Sequence, residues 1–260
     1  MVISMTDGTE ISVAELGRRL KEAARLGPHP LCVFESDSIP SGSHPFGQVY
    51  RCLAKAAYQC AIGETGPLHL GQDVRTGICP GGQFWTGLAE MSEGLKHFIS
   101  CGSPSFRGGA AEYLKRDPEM VMTSLSRVGR IRPPKGYLCI MPCHDFQDGM
   151  GHPRAILLFA GAEQTRNLLA LHHFGTPEAF TSAGAPWGPS CASFMSYPAG
   201  LSPNCPDHMT VIGPVDPTGN SWLPEGTMSL GVPIAVARRM ASDLDVSFLM
   251  KRSSVAFPEH

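Results

Sequence analysis

Residues 76–88 combine a thiol, a turn and the start of an apolar segment, a pattern that can favour a reactive or metal-binding sulfur. Cys79 opens the turn and is followed by a proline and by Gly81 and Gly82. A thiol at the beginning of a helix meets unpaired backbone N–H groups, which stabilise a thiolate. The glycines leave backbone N–H groups accessible because they carry no side chain. An ordinary turn with a buried cysteine is the alternative, and the other cysteines must decide between the two.

Four of the nine cysteines lie beside turn-forming residues or at the start of a predicted helix, where backbone N–H groups can hydrogen-bond to sulfur. These four are Cys52, Cys79, Cys191 and Cys205. An all-cysteine set suits a [4Fe–4S] cluster or a structural zinc ion. Their wide separation along the chain differs from the close pairs that structural zinc sites commonly use. Ligands so far apart must be assembled by the whole fold, which favours a cluster and leaves zinc or unmetallated thiols as alternatives.

The order and context of these cysteines resemble the DUF169 family, a cysteine-rich archaeal and bacterial group without an established general function. In that family one cysteine begins an early helix, a second opens a Cys-Pro-Gly turn, and two more flank a later loop. The resemblance therefore implies the set Cys52, Cys79, Cys191 and Cys205. It runs from about residue 28 to residue 244, and the chain departs from the family pattern at Asp207-His208. The matching segments are residues 51–57, 79–82, 87–88, 154–171, 190–198, 204–206 and 230–233.

Two histidines and two arginines are further candidates for a role at the site. His69 precedes Cys79 and His208 follows Cys205 at short range in the sequence, so either could donate a proton beside a cluster. Arg51 and Arg75 could balance the negative charge of a cluster or bind an anionic substrate. Solvated or hydrogen-bonded structural roles are the simpler interpretation of all four residues.

The closest cysteine pair is Cys139 and Cys143. Strand alternation sends Cys139 inward, where it is most simply part of the core. Cys143, His144 and Asp145 fall in a loop and could line a site. A structural role is favoured for them, because nothing in their spacing completes a set of metal ligands.

Composition and charge exclude several classes of function. The net charge is −2, and the acidic and basic residues are mixed along the chain, so no basic stripe indicates nucleic acid or a lipid surface. No apolar run is long enough to span a bilayer. The N-terminal segment does not resemble a secretory signal. We therefore expect a cytoplasmic protein with reduced thiols, no nucleic-acid or membrane partner, and a possible homodimeric state.

Periodicity predicts the elements that must position the cysteines. Ser12 and Glu15 form a capping box, which predicts an N-terminal helix within residues 1–27. The pattern over residues 47–61 predicts a second helix, with Cys52 near its start.

Two later segments also show helical patterns. Residues 109–128 predict one or two helices, interrupted at Pro118 because proline disfavours the helix interior. Residues 154–174 predict a strand followed by a helix, half of a βαβ element. His172 and His173 end that helix, where the helix dipole favours a cationic side chain.

The whole chain, residues 1–260, is predicted to form a single α+β domain, a mixed sheet with flanking helices. It contains 42% apolar residues, enough for a substantial core. Residues 175–231 are rich in Gly, Pro, Ser and Asn, and so long a loop region is usually functional. We expect it to contribute to the site, with short strands near residues 209–213 and 227–230.

Two hypotheses follow from the sequence. In the first, a [4Fe–4S] cluster equips a redox protein or a cluster-dependent enzyme, an oxidoreductase or a lyase that acts on a small molecule. Four cysteine ligands would favour electron transfer to a partner protein, whereas three would leave an open iron that can bind a substrate. In the second, zinc or reduced thiols stabilise a non-enzymatic binding module.

Overall fold

The computed structural model describes residues 10–72, 77–219 and 221–251. The strands in chain order are β1 (Leu31–Ser36), β2 (His44–Pro45), β3 (Leu68–Leu70), β4 (Tyr137–Pro142), β5 (His152–Ala160), β6 (Ala183–Gly184), β7 (Thr210–Gly213) and β8 (Met228–Pro233). The α-helices are α1 (Val13–Ala24), α2 (Phe46–Val49), α3 (Leu53–Ala61), α4 (Pro80–Trp85), α5 (Glu93–Ile99), α6 (Pro118–Val128), α7 (Ala162–Phe174), α8 (Ile234–Asp243) and α9 (Phe248–Lys251).

The strands form one mixed sheet in the order β2-β3-β4-β1-β5-β8-β7-β6. The pairs β2–β3 and β6–β7 are parallel, and the pairs between them are antiparallel. The predicted α+β class is confirmed. The expected half of a βαβ element is not, because β5 pairs antiparallel with both β1 and β8.

Alternation along the central strand β1 divides the core into two layers. Cys32 and Phe34 pack with α1, α7 and α8 on one face of the sheet. Leu31 and Val33 pack on the opposite face with α3, α4, α5 and α6. All of β1 is buried, as expected for a strand covered on both sides. Cys191 belongs to the second layer, and Cys52 and Cys205 pack against it. Cys79 lines a cavity together with Leu53 and Trp85 of that layer.

The N-terminal helix agrees with the sequence prediction. The side chain of Ser12 accepts a hydrogen bond from the backbone N–H of Glu15 at 3.2 Å and caps α1. The helix ends at Arg25, which adopts a left-handed conformation with φ of 55°.

Three sequence expectations are corrected. The helix predicted over residues 47–61 is two helices, α2 and α3, and Cys52 is the residue immediately before the second. In residues 109–128 only α6 is α-helical, and Pro118 begins that helix instead of interrupting it.

His172 does not act as a cationic cap, because it is buried and its pKa is lowered to about 4, chiefly by burial and then by Arg239. The Arg239 guanidinium instead donates to the His172 carbonyl oxygen at 3.0 Å.

The segment predicted as a long loop, residues 175–231, contains more regular structure than expected. The two short strands expected near residues 209–213 and 227–230 are β7 and β8, and the unexpected elements are β6 and a π-helical segment, Ala192–Ser196. A π-helical turn is rare and often lies at a functional site. Among the residues described, no helix is both long and apolar enough to cross a bilayer.

Candidate functional site

Cys52, Cys79 and Cys191 line one cavity of about 340 Å³. They come from three separate parts of the chain: the start of α3, the start of α4 and the residue before the π-helical segment. The walls are largely apolar and include Trp85, Leu95, Phe98, Ile99, Leu114 and Trp187. A partly apolar cavity of this size, with a few polar groups, is typical of a small-molecule or cofactor site.

Cys79 is the N-cap of α4, as its neighbouring Pro-Gly-Gly sequence predicts. Its sulfur accepts a hydrogen bond from the backbone N–H of Gly82 at 3.3 Å. A Cβ at Gly82 would lie 3.1 Å from Leu53, so a larger side chain is disfavoured there, whereas Gly81 faces open space in the cavity. The two glycines therefore have different uses: one allows close packing and one leaves the cavity wall open.

The chain segments before Cys52 and Cys79 cross in direct backbone contact. A Cβ on Gly77 would lie 2.8 Å from the Cα of Gly47, and a Cβ on Gly47 would clash with the Gly77 backbone. Only glycine allows two backbones to approach this closely. The crossing places the beginnings of α3 and α4 side by side, and their cysteines enter the same cavity.

Cys191 is held through its neighbour Ser190. The buried carboxylate of Asp216 accepts hydrogen bonds from the backbone N–H of Ser190 at 3.2 Å and from its hydroxyl at 3.3 Å. Asp216 also lines the cavity. A charged acceptor forms stronger hydrogen bonds than a neutral one, so Asp216 fixes the backbone from which Cys191 projects.

An aromatic wall joins α4 to the Cys191 segment. The ring of Trp85 lies 6.1 Å from that of Trp187 and 5.7 Å from that of Tyr197, both edge to face. The hydroxyl of Ser196 donates to the backbone carbonyl of Trp85, and the Tyr197 hydroxyl donates to that of Trp187 at 2.6 Å. These contacts hold the two segments together, with Cys191 buried and Cys79 partly buried.

Burial and mutual charge keep two of the three thiols protonated. The pKa of Cys191 is raised well above its usual range by burial, and then by Cys79, Cys52 and Asp216. Burial also raises the pKa of Cys52, and the nearby backbone N–H of Lys55 partly offsets that effect. Each thiolate would repel the next. A cation that neutralises several thiolates at once would reverse this preference.

Cys205, the fourth predicted ligand, lines a second cavity of about 340 Å³, formed with Arg127, Tyr197 and Met209 among others. Trp187 lines both cavities and lies between them. Burial raises the pKa of Cys205 to about 11. The structure thus brings three of the four cysteines together and places the fourth behind an aromatic side chain.

The remaining predicted site residues lie elsewhere. His69 is buried in β3, where its Nδ1 and the Ser43 hydroxyl form a hydrogen bond of 2.8 Å. His208 is exposed and lies 3.5 Å from the carboxylate of Asp207. The side chain of Arg51 is exposed, and its carbonyl oxygen accepts the backbone N–H of Cys79. Arg75 and Thr76 lie outside the described residues.

The other cysteine pair, Cys139 and Cys143, lies in the opposite layer of the core. Cys139 is buried in the layer beneath α1, as strand alternation predicts. Cys143 is buried in the same layer, and its side chain fills the space above Gly17 of α1. Cys143 therefore faces the core and does not line the cavity of Cys52, Cys79 and Cys191, and the structural role favoured for it remains a prediction.

Three charged residues that line the cavity were not singled out from the sequence. Asp216 lies in the loop after β7, and Arg107 and Glu112 lie in the irregular segment between α5 and α6. Single charged residues in loops give no periodic signal, so only the folded arrangement associates them with the cysteines.

The spacing of the possible metal-binding side chains bears on which group the cavity could hold. Within the described ranges, no three His, Cys, Asp or Glu side chains converge closely enough to hold one metal ion. The cysteines nevertheless share one cavity. A cluster contains several iron and sulfur atoms, so its thiolate ligands stand farther apart than the ligands of a single ion. Three thiols are donors of the type that a cluster uses, and they are not close enough together for one tetrahedral zinc ion with Zn–S bonds of about 2.3 Å.

The comparisons agree with the resemblance noted in the sequence. Residues 19–243 match the DUF169 family, which is described as an uncharacterised ArCR family. This match covers most of the chain, and the protein belongs to that family. No curated protein and no solved structure matches the chain.

Proposed function

We propose that the protein binds a [4Fe–4S] cluster through Cys52, Cys79 and Cys191 and acts on a small molecule in the same cavity. The observation that carries the proposal is the shared cavity, which three cysteines from distant parts of the sequence line together. Nine free thiols suit the reducing environment of the cytoplasm, where we place the protein.

The surroundings of the sulfurs support this proposal. The N–H of Gly82 donates to the Cys79 sulfur, and hydrogen bonds to ligand sulfurs tune the reduction potential of a cluster. The aromatic wall of Trp85 and Trp187 limits the access of water. The hydrogen bonds from Ser190 to Asp216 hold the third ligand in place, as supporting residues do in metal sites.

The position of Cys205 favours an enzyme over a simple electron carrier. With three cysteine ligands, one iron would remain open to a substrate and supply Lewis-acid chemistry. The chain's own residues would bind the substrate against the apolar wall, exclude water and hold the cysteines. The proposed activity is therefore that of a cluster-dependent lyase or oxidoreductase. An oxidoreductase would also need a partner protein that transfers electrons to the cluster, whereas a lyase would not.

Zinc is the alternative occupant, and metal analysis separates the two. The protein is purified and reconstituted anaerobically with iron and sulfide, and its iron, zinc and acid-labile sulfide are measured. The proposal predicts about four irons and four sulfides per chain with a brown chromophore. A colourless protein with one zinc per chain and no sulfide would refute it and support a zinc-stabilised module.

A further inference from the structure

The cavity that holds the three cysteines also carries an arginine that the cluster would not use. Arg107 lines the cavity and is exposed. Its guanidinium lies over the ring of Phe98, 4.6 Å from the ring centre, and 5.7 Å from that of Phe106. In the described part of the chain, no carboxylate forms an ion pair with it and no acceptor takes a hydrogen bond from its side chain. Its N–H donors are therefore available to a ligand.

The backbone around Arg107 is held in an unfavourable conformation. Arg107 has φ of 49° and Tyr113 has φ of 54°, in the left-handed region that non-glycine residues avoid. Such conformations persist only where the surrounding structure enforces them, and they often lie at ligand sites. Here the Arg-Gly-Gly turn directs an arginine towards the cavity even though glycine would relieve the strain.

Local packing fixes this segment to α5. The ring of Phe106 packs so closely on Gly94 that a Cβ there would clash with it. The backbone N–H of Glu112 donates to the carbonyl of Phe98 at 2.7 Å, and that of Leu114 donates to Ile99 at 2.9 Å. Arg107 and Glu112 are thus held at the cavity by the same helix that supplies part of its apolar wall.

Glu112 gives the polar end of the cavity a second feature. It is half-buried, and burial raises its pKa, while Thr218 and Arg107 partly offset the shift. Its carboxyl group therefore keeps its proton to a higher pH than an exposed glutamate does. A guanidinium fork beside this carboxyl group is suited to a planar oxyanion, since arginine binds carboxylates through two parallel N–H bonds.

We propose that the cavity binds a small organic carboxylate, with a carboxylate group on Arg107 and the rest of the molecule extending along Phe98 and Leu114 towards the cysteines. The cavity volume of about 340 Å³ admits a molecule of only a few carbon atoms beside a cluster. A reaction of this carboxylate rests on the proposed function, because it needs the cluster. Its binding to Arg107 does not.

Calorimetric titration tests the inference with succinate, with its neutral diamide, with L-aspartate and with inorganic phosphate. Each probe is titrated into metal-free protein and into reconstituted protein. Arg107→Gln removes the charge, Arg107→Lys keeps the charge without the fork, and Arg116→Gln serves as the control because Arg116 is exposed and paired with Asp117. Circular dichroism and urea unfolding verify that each variant folds.

Succinate or L-aspartate should bind in at least one preparation, and the diamide should bind at least about tenfold more weakly. Arg107→Gln should weaken binding by about tenfold or more and Arg107→Lys by less, whereas Arg116→Gln should have no effect. Preference between succinate and L-aspartate tells whether the acid carries an amino group.

The carboxylate site is overturned if neither acid binds, if only phosphate binds, or if Arg107→Gln binds as the wild type does. Iron and sulfide content is measured separately on the same preparations. Carboxylate binding without a cluster would refute only the proposed function, and a cluster without carboxylate binding would refute only this inference.

Discussion

The backbone N–H of Cys79 donates a hydrogen bond to the carbonyl oxygen of Arg51, 2.9 Å away. This bond joins the residue before Cys52 directly to Cys79, although the two segments are well separated in the sequence. The nearby crossing of Gly47 and Gly77 brings the two segments into backbone contact. The relative position of the two cysteines is therefore set by backbone geometry and not by side-chain packing alone.

The glycine crossing provides the first prediction. Gly47→Ala places a Cβ against the Gly77 backbone, which cannot move as a flexible side chain would. We expect a loss of about 2 kcal/mol or more in the free energy of unfolding and reduced iron incorporation. Gly27→Ala is the control, because a Cβ at Gly27 meets open space, and it should change stability by no more than about 0.5 kcal/mol. Urea unfolding measures both variants, and equal stability of the two would contradict the role of the crossing.

Asp216 provides the second prediction. Its negative charge contributes to the raised pKa of both Cys191 and Cys52, after burial and the neighbouring thiols. Asp216→Asn should therefore lower the pKa of both thiols in the metal-free protein, so that alkylation begins at lower pH. It should also destabilise the fold by about 1–3 kcal/mol through weaker bonds to Ser190. Rates of iodoacetamide reaction against pH, followed by peptide mass spectrometry, measure the shift.

Asp207→Asn is the matched control for this experiment, because Asp207 is fully exposed. It should leave the alkylation profile of both thiols unchanged. A profile for Asp216→Asn that coincides with the wild type would show that the carboxylate does not act on the thiols.

The pH dependence of cluster retention is the third prediction. The pKa of Cys52 and that of Cys191 are raised, so both are thiols at neutral pH in the metal-free protein. Protons therefore compete with iron, and binding should strengthen as pH rises. Reconstituted protein incubated with a chelator between pH 6 and 9 should keep more of its visible absorbance at the higher values. Because the chelator itself binds iron more tightly at high pH, its concentration is adjusted so that free iron is the same at every pH. Retention that falls with pH or does not change under that condition would contradict proton competition.

Much of this fold could be predicted from local patterns. Ser12 with Glu15 predicts the start of α1, and the Pro-Gly-Gly sequence after Cys79 predicts the start of α4. Both signals concern backbone N–H groups within one helical turn of the capping side chain. Local chemistry of this kind is readable without knowledge of the fold.

The composition of the site was less accessible from the sequence. Cys205 has turn-forming neighbours, as Cys191 does, and follows it closely in the chain, yet it lines a different cavity, and Trp187 lines both. Arg107 and Asp216 reach the cavity from irregular loops whose paths depend on tertiary packing. Which residues share a cavity is a property of long-range contacts, and residue spacing does not encode it.

His172 provides a fourth prediction, about stability. Its pKa is lowered to about 4, first by burial and then by Arg239, His173 and His208, whereas an unfolded histidine titrates near 6.5. Between these two pH values His172 is protonated in the unfolded chain and neutral in the folded protein. Stability is therefore fully present above about pH 6.5 and is lost as pH falls towards 4, by at most about 1.4 kcal/mol per pH unit from this residue.

Urea unfolding of the wild type and of His172→Gln at pH 7, 5.5 and 4.5 tests this behaviour. Glutamine is neutral throughout, so the variant should be less stable at pH 7 but should lose less stability on acidification. The substitution also alters the hydrogen bond between His172 and Thr210, 3.3 Å long, which changes stability at every pH. The informative quantity is therefore the slope of the free energy of unfolding against pH. Identical slopes for the two proteins would exclude His172 as the titrating group.

The most direct test of the proposed site compares serine substitutions at single cysteines after anaerobic reconstitution. Cys52→Ser, Cys79→Ser and Cys191→Ser should each lose most of the iron, the sulfide and the visible absorbance. Cys205→Ser should retain them, and so should the exposed control Cys101→Ser. Retention of the full cluster by Cys79→Ser or Cys191→Ser would contradict the three-cysteine site. Loss of the cluster in Cys205→Ser, with a fold as stable as the wild type, would contradict the open position on which the proposed enzyme depends.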